Sequence, residues 1–427
     1  MKLRKPSGFV TQRGSMQCHK KHENRIVTVE MSQSFIVFDA QLPWIYPLVY
    51  ELGRFGPSVA INLGVSQAWF HRRVVKWPYV YPDDEVRKEV WSYPPGFNRK
   101  LGFIFDRPIR ARLAKIIRGL KRQTGEIPYV ILPNPRLFQY VEEVDPSHLI
   151  YINYDDYSVS FDARGRAEIP AEEKLVGLAG TVLCSSAYQV FRFKERFPAC
   201  KSKIFHFPHG VHEAFLNPAP DQLSAPPTVC ISGRLTSRYD WQLIEEVVAR
   251  LPAVRFVFVG VIETVTHCGQ SPDWLQCLQR VLGQDNVRHQ EVKTHLDSRS
   301  YYWESVINWM PYKPDLPFVK ASCPLKISDG LASGRAVLSA DVPECRLYPE
   351  WISVYQNANE AVALISDEIK RMNSPTLQQR RKAQFEFARH NTWADRAQQL
   401  VEILGRDVIS GRDAQEEIVG GRPFGKF

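Results

Sequence analysis

Two consecutive α/β domains, each built on a parallel sheet, are predicted from three observations. Short apolar strand patterns alternate with helix-period patterns along most of the chain, which is the rhythm of βαβ units. At 427 residues the chain exceeds what a single hydrophobic core usually supports. Finally, an aperiodic Pro- and Ala-rich stretch, HEAFLNPAPDQLSAPPT, interrupts the alternation near the middle, and the rhythm restarts beyond it. The expected division is a flexible leader over 1–33, a first α/β domain over 34–211, a linker over 212–228 and a second domain over 229–385. A closing helix over 386–405 and a loose tail over 406–427 follow.

In the first half SFIVFDA (34–40) reads as a buried strand. The apolar-periodic helix PWIYPLVYELGRFG, closed by Gly56, and a second strand SVAINLG come next. Residues 66–100 are rich in Trp, Tyr and Pro and are expected to be irregular. A helix is predicted from Arg107 to Arg122, then the strand YVILPNP (129–135) and the strand opening HLIYINYDDYS (148–158). EEKLVGLAG is helical, TVLCSS a strand, YQVFRFKERF a helix, and KIFHFPHG a strand that ends in a turn. In the second half the strands are VCISGRL, VRFVFVG, NVRHQEV, VINWMPY, RAVLSAD and ISVYQ, with helices between them. The segment from Thr376 to Asp407 gives two helices broken near HNTW.

The 44% hydrophobic and 24% charged composition is that of an ordinary globular protein, and no run approaches the ~20 apolar residues that span a membrane. The basic N-terminus lacks the apolar core of a secretory signal. Eight scattered cysteines without a C-x-x-C pair point to reduced thiols and a cytoplasmic setting rather than a disulfide framework or a zinc site. A net charge of +9 fits nucleic acid, an anionic membrane face or phosphorylated small molecules, and composition alone does not choose among them.

Ligands of open parallel sheets sit at the carboxyl ends of strands. Ser232-Gly233-Arg234 occupies such a position, with Arg238 four residues later: glycine permits close backbone approach, and an arginine fork suits phosphate oxygens. A glycine strand end with solvated arginines would read the same way. In PLKISDGLASG, Lys326 falls in the first turn of a helix, where the dipole favours anions. That mismatch suggests an anionic ligand shared with the helix terminus. Asp329 lies one turn on, where a carboxylate can accept ribose hydroxyls. The plain alternative is an exposed i,i+3 pair worth only ~0.3 kcal/mol.

The stretch PLKISDGLASGRAVLSADVPE closely resembles the donor-binding signature of GT-B glycosyltransferases. YINYDDYS is similar to an Asp-Asp-Tyr-Ser segment of the bacterial subgroup that builds exopolysaccharide and capsule. FPHGVHEAF, SGRLTSRYDWQLI and HNTWADRAQQLVEIL resemble further segments of that subgroup, in the same order, over roughly residues 35–405. The resemblance implies two facing Rossmann-like domains with a cleft between them and a last helix that crosses back to the first domain. It implies a nucleotide-sugar donor as co-substrate, no metal and no other cofactor. Gly233, Arg234 and Arg238 would contact the diphosphate, Lys326 would neutralise it, and Asp329 would hold the ribose where the family usually has Glu. Ala321 stands where many retaining relatives carry an acid, and Ile152 where the subgroup motif has Asp.

Asp155 and Asp156 are the candidates for the base that takes an acceptor proton. Adjacent strand side chains point to opposite faces, so only one is expected to act. A solvated Asp-Asp turn or a helix cap is the alternative, and His209 is a further catalytic candidate. The acceptor would be a glycan, a lipid-linked sugar or a small molecule. Over 109–122, Ile109, Leu113, Ile116, Ile117 and Leu120 form one stripe and six basic residues the other face. Such a helix suits either an anionic inner membrane face or packing on the first sheet. The aromatic segment 69–97 suits either sugar stacking or core. Rival functions are a nucleotide-sugar epimerase of the same fold and a non-catalytic basic binding protein. Nucleic acid is not expected as a partner, because the basic residues are not clustered with aromatics.

Overall fold

The structure is a computed structural model, and it describes residues 33–65, 77–93, 103–157, 169–218, 223, 226–264 and 273–409. The predicted leader up to residue 32 and the tail from 410 lie outside the described residues. In the N-terminal lobe, β1 (Phe35–Phe38), β2 (Ser58–Val65), β3 (Arg87–Tyr93), β4 (Tyr129–Leu132), β5 (Leu149–Asn153), β6 (Thr181–Cys184) and β7 (Ile204–His206) form one sheet. Its order is β3-β2-β1-β4-β5-β6-β7. The C-terminal lobe holds β8 (Thr228–Ser232), β9 (Arg255–Val259), β10 (Val287–Gln290), β11 (Ile307–Met310), β12 (Ala336–Ala340) and β13 (Ile352–Tyr355). These are ordered β10-β9-β8-β11-β12-β13. All pairings are parallel. Counted from its own first strand, each sheet follows the doubly wound order 3-2-1-4-5-6, and the first adds one more strand. The growth of the sheet reverses between β1 and β4 in one lobe and between β8 and β11 in the other. Loops splay apart at those two points, so they are where ligands are expected.

Helices cover both faces of the first sheet, so its central strands are buried throughout, FIVF in β1 and LIYIN in β5. On one face Ile36, Val130 and Tyr151 pack with Leu113, Ile116 and Leu120 of helix Phe103–Thr124. The apolar stripe of that helix is therefore core, and only its charged face is exposed. On the other face Val37, Ile131 and Ile152 pack with helix Tyr46–Leu52 and with Trp393, Ala397 and Leu400 of the closing helix Trp393–Ile409. The closing helix thus completes the N-lobe core.

The preceding helix, Pro375–Arg389, stays with the C-lobe, where buried Gln384 donates to the Arg335 carbonyl at 2.7 Å. The predicted boundary at 386 falls inside this helix, and the crossing occurs at 390–392. There the two inter-lobe strands of chain run side by side, with Val211 N–H donating to the Asn391 carbonyl at 2.8 Å and Trp393 N–H to the Val211 carbonyl at 3.1 Å.

Two other segments differ from expectation. The stretch thought irregular contains β3, an edge strand in which Trp91 meets Phe38 edge-on at 5.9 Å while Val90 is exposed. With one face charged, its period of two is hard to see in sequence. The linker begins with a short 3-10 turn, Glu213–Phe215, which buries Phe215 in the C-lobe core. The six cysteines among the described residues are free thiols.

Candidate active site

At the C-lobe reversal point β8 ends in Gly233, whose φ of +107° is one that side chains resist. A Cβ there would lie 2.7 Å from both Cε and Nζ of Lys326. The glycine is therefore what admits the lysine to the turn. Gly260, at the end of β9, has φ +139°, and a Cβ on it would meet the Gly233 carbonyl oxygen at 2.2 Å. Lys326 enters from helix Leu325–Ala332 and donates to the Tyr312 hydroxyl, with the Tyr239 and Tyr312 ring centroids 5.6 and 4.9 Å from its ammonium. Burial disfavours this ammonium, but the two tyrosine hydroxyls favour it more, and the net shift is upward. A half-buried cation thus sits against an open glycine turn at a helix N-terminus, an arrangement suited to a diphosphate.

Asp329 is only 3% exposed, so an exposed Lys–Asp pair is ruled out. Its carboxylate lies 2.8 Å from His295 Nε2, and His295 Nδ1 lies 2.7 Å from the Tyr79 hydroxyl of the N-lobe. Burial pushes the imidazole down and Asp329 pushes it up, with a net upward shift. As an imidazolium it donates from both ring nitrogens, to Asp329 and to Tyr79. His212 packs at a tilt against Tyr79, stacks on Tyr81 and meets the Tyr81 hydroxyl at 3.1 Å. The described part of the aromatic segment is therefore a joint between lobes, and residues 66–76 and 94–100 lie outside the described residues.

Arg238 lies along the Phe318 ring, 4.1 Å from its centroid, and interacts electrostatically with Asp155 of the other lobe. Arg234 turns away: its side chain is 73% exposed and approaches Glu263 at 3.6 Å. The structure thus brings Gly233, Arg238, Lys326 and Asp329 to the seam and leaves Arg234 on the rim.

The adjacent aspartates lie past the end of β5, in a bend rather than a strand, and their side chains nonetheless part. Asp156 is buried against Arg192 of helix Ala187–Arg196. Asp155 faces the seam; burial raises its carboxyl above the usual range, and Arg238 pulls against that shift. The Asp155 loop is held from below, because Asn153 Nδ2 donates to the Asp155 carbonyl at 2.9 Å and to buried Glu172 at 3.2 Å. A carboxylate with an upward-shifted pKa makes a better proton acceptor at neutral pH. His209 sits differently: its ring stacks on Tyr154 at 5.6 Å and lies near Trp393, and burial with Arg396 drives its pKa down to about 3. It packs as a joint and is a weak base.

Several seam residues carried no sequence signal. Asp39 follows β1 at the N-lobe reversal point and is the one non-glycine residue with positive φ among those described, at +48°. Its place directly after a strand was the available hint. His295, Tyr79 and Tyr312 are recruited by tertiary packing. Glu344, of the Pro-Glu pair, is fully buried and ties the lobes by accepting from Ala187 N–H at 2.8 Å and lying 3.0 Å from His206 Nε2.

No protein-family model matches the chain, and no curated protein matches its sequence. Its fold is similar to that of several solved structures. A glycosyltransferase from Rickettsia africae superposes with a TM-score of 0.61 at 11% identity, covering 89% of this chain and 100% of that one. Sucrose-phosphate synthase from Thermosynechococcus elongatus gives 0.63 at 14% identity, covering 88% and 99%. HepE from Anabaena, solved with UDP-glucose, gives 0.58 at 12% identity, covering 87% and 99%. The chain has the GT-B fold, two Rossmann-like domains facing one another.

Proposed function

We propose that the protein is a nucleotide-sugar-dependent glycosyltransferase whose C-lobe holds the donor and whose N-lobe presents the acceptor. The observation that carries this reading is the half-buried Lys326 ammonium against the Gly233 turn, with Asp155 facing Arg238 across the seam. The donor diphosphate lies between the Gly233 turn, Lys326 and Arg238, and the ribose lies at Asp329, steadied by His295. Asp155 takes the proton of the acceptor hydroxyl as its oxygen attacks the sugar's anomeric carbon. The bond to the phosphate oxygen breaks, and the leaving nucleoside diphosphate keeps the electron pair. Its charge is met by Lys326, Arg238 and the helix N-terminus, so the protein's own groups supply the stabilisation that a metal would otherwise give. This geometry favours inversion.

No helix among the described residues is long and apolar enough to cross a membrane. The exposed Arg107, Arg112, Lys115, Arg118, Lys121 and Arg122 of helix Phe103–Thr124 support a peripheral station at an anionic inner membrane face. A groove of about 730 Å³ beside them is lined by Arg87, Arg112, Lys115 and Arg122 together with Glu89, which pairs with Arg87 and Arg112. With the apolar stripe in the core, such contact rests on charge alone and weakens with salt.

A thermal-shift screen against UDP, GDP, dTDP and their sugars tests the donor assignment, because a ligand that binds only the folded state stabilises it by mass action. HepE was solved with UDP and with UDP-glucose, so uridine nucleotides are the first probes. The expected result is stabilisation by at least one nucleoside diphosphate, and no response to any of them contradicts the proposal.

A further inference from the structure

The N-lobe reversal point carries polar groups that the donor does not use. Asp39 accepts from Asn134 Nδ2 at 3.1 Å and is hydrogen-bonded by Gln41. Its φ of +48° costs conformational energy that the surrounding packing must hold in place, and such residues cluster at functional sites. Tyr157, whose hydroxyl donates to the Pro133 carbonyl at 3.2 Å, feels both Asp39 and Asp155. The two carboxylates thus flank one corner at the carboxyl ends of β1, β4 and β5.

Three side chains there have polar atoms with no hydrogen-bond partner among the described residues: Oε1 of Gln41, the indole N–H of Trp44 and the hydroxyl of Tyr154. Tyr154 is 8% exposed and sets its ring edge-on to Trp44 at 6.5 Å. Buried polar atoms are rarely left unpaired, because each costs about 1–3 kcal/mol. An acceptor, a donor and a group that is both match the hydroxyls of a sugar. They do not match a phosphate, which needs cations. Among the described residues, Arg136 is exposed on the rim of this corner, whereas the floor carries Asp39 and Asp155.

We propose that this corner is the acceptor subsite and that it takes an uncharged, hydroxyl-rich group, with Asp39, Gln41, Trp44 and Tyr154 as its polar contacts, and not a phosphorylated sugar. The inference rests on the glycosyl-transfer reading. The test pairs glucose, mannose and N-acetylglucosamine with their 6-phosphates as acceptors, using the donor selected by the thermal-shift screen. Release of nucleoside diphosphate is the readout.

Neutral members should stimulate release at least about tenfold more than their phosphates, since a buried unpaired charge is strongly rejected. Asp39→Asn keeps a residue tolerant of positive φ and should raise the KM for the neutral sugar about 10-fold or more, while binding of the nucleoside diphosphate stays at the wild-type level. Trp44→Phe removes the N–H donor together with part of the indole ring and should raise that KM about 3–10-fold. A phosphate that outperforms its neutral partner, neutral sugars that fail to stimulate release, or two variants with unchanged KM would overturn the assignment. Those results leave the donor reading standing, whereas failure of the wild type to bind any nucleoside diphosphate removes the donor reading itself.

Discussion

The two reversal points share one topology and have opposite chemistry. At β8/β11 the chain supplies Gly233, the half-buried Lys326 ammonium and Arg238 at the start of a helix. At β1/β4 it supplies Asp39, with Asp155 in the bend after β5, and neutral polar atoms without a partner among the described residues. Strand order fixes where a ligand sits in both lobes and does not say which ligand. On the proposed reading the sign of the local charge does: a cationic corner suits a diphosphate and an acidic one does not. Lobe roles in this fold follow from a few side chains at equivalent positions rather than from any difference in architecture.

The largest effect that could break this comparison is on turnover. Asp155→Asn should lower it by ~10²–10⁴-fold with donor affinity intact, because the corner loses its proton acceptor. Asp156→Asn should leave turnover near wild type, since that side chain faces Arg192 and not the seam. Steady-state rates at saturating donor, with donor binding measured separately, decide this. Equal losses in both variants would show that the loop merely holds structure.

A smaller effect sharpens the comparison through pH. Burial first, then Arg396, lowers His209 to about 3, and burial with His295 and Arg299 lowers His212 to about 4, both from 6.5. Between pH 6.5 and those values the unfolded chain binds protons that the folded chain does not. Stability should therefore fall as pH drops through that window. His295 has the opposite sign: its raised folded value stabilises fully below pH 6.5 and loses that contribution as pH rises through it. Melting temperature from pH 4.5 to 8.5 should decline on both sides. His295→Gln should flatten the alkaline limb by about 2–4 °C, and an unchanged alkaline limb counts against the His295–Asp329 pair.

Much of the fold was legible because parallel strands buried on both faces leave continuous apolar runs, as in FIVF and TVCIS. The β3 edge was not, because half of its residues face water. In the proposed donor corner, Gly233, Lys326 and Asp329 sit on local sequence landmarks, a strand end and a helix start. The His295 partner of Asp329 comes from a loop 34 residues earlier, and Tyr79 from the other lobe. Local pattern contains no trace of such pairings. Asp39 illustrates an intermediate case: its position after β1 was readable, but its backbone strain was not. That Asp155 and Asp156 part was anticipated from strand alternation, but both lie beyond β5, and it is the Arg192 partner that draws one of the two away.

The division of labour is tested most directly by calorimetric titration of one nucleoside diphosphate into the wild type, Lys326→Ala and Asp155→Asn. Removing the half-buried ammonium should cost roughly 1.5–3 kcal/mol, an affinity loss of about 10–150-fold, as for a charge-assisted contact. Removing the opposite carboxylate should leave affinity unchanged or slightly improved. Unchanged affinity in Lys326→Ala, or an equal loss in both variants, would contradict the assignment of the donor to the cationic corner.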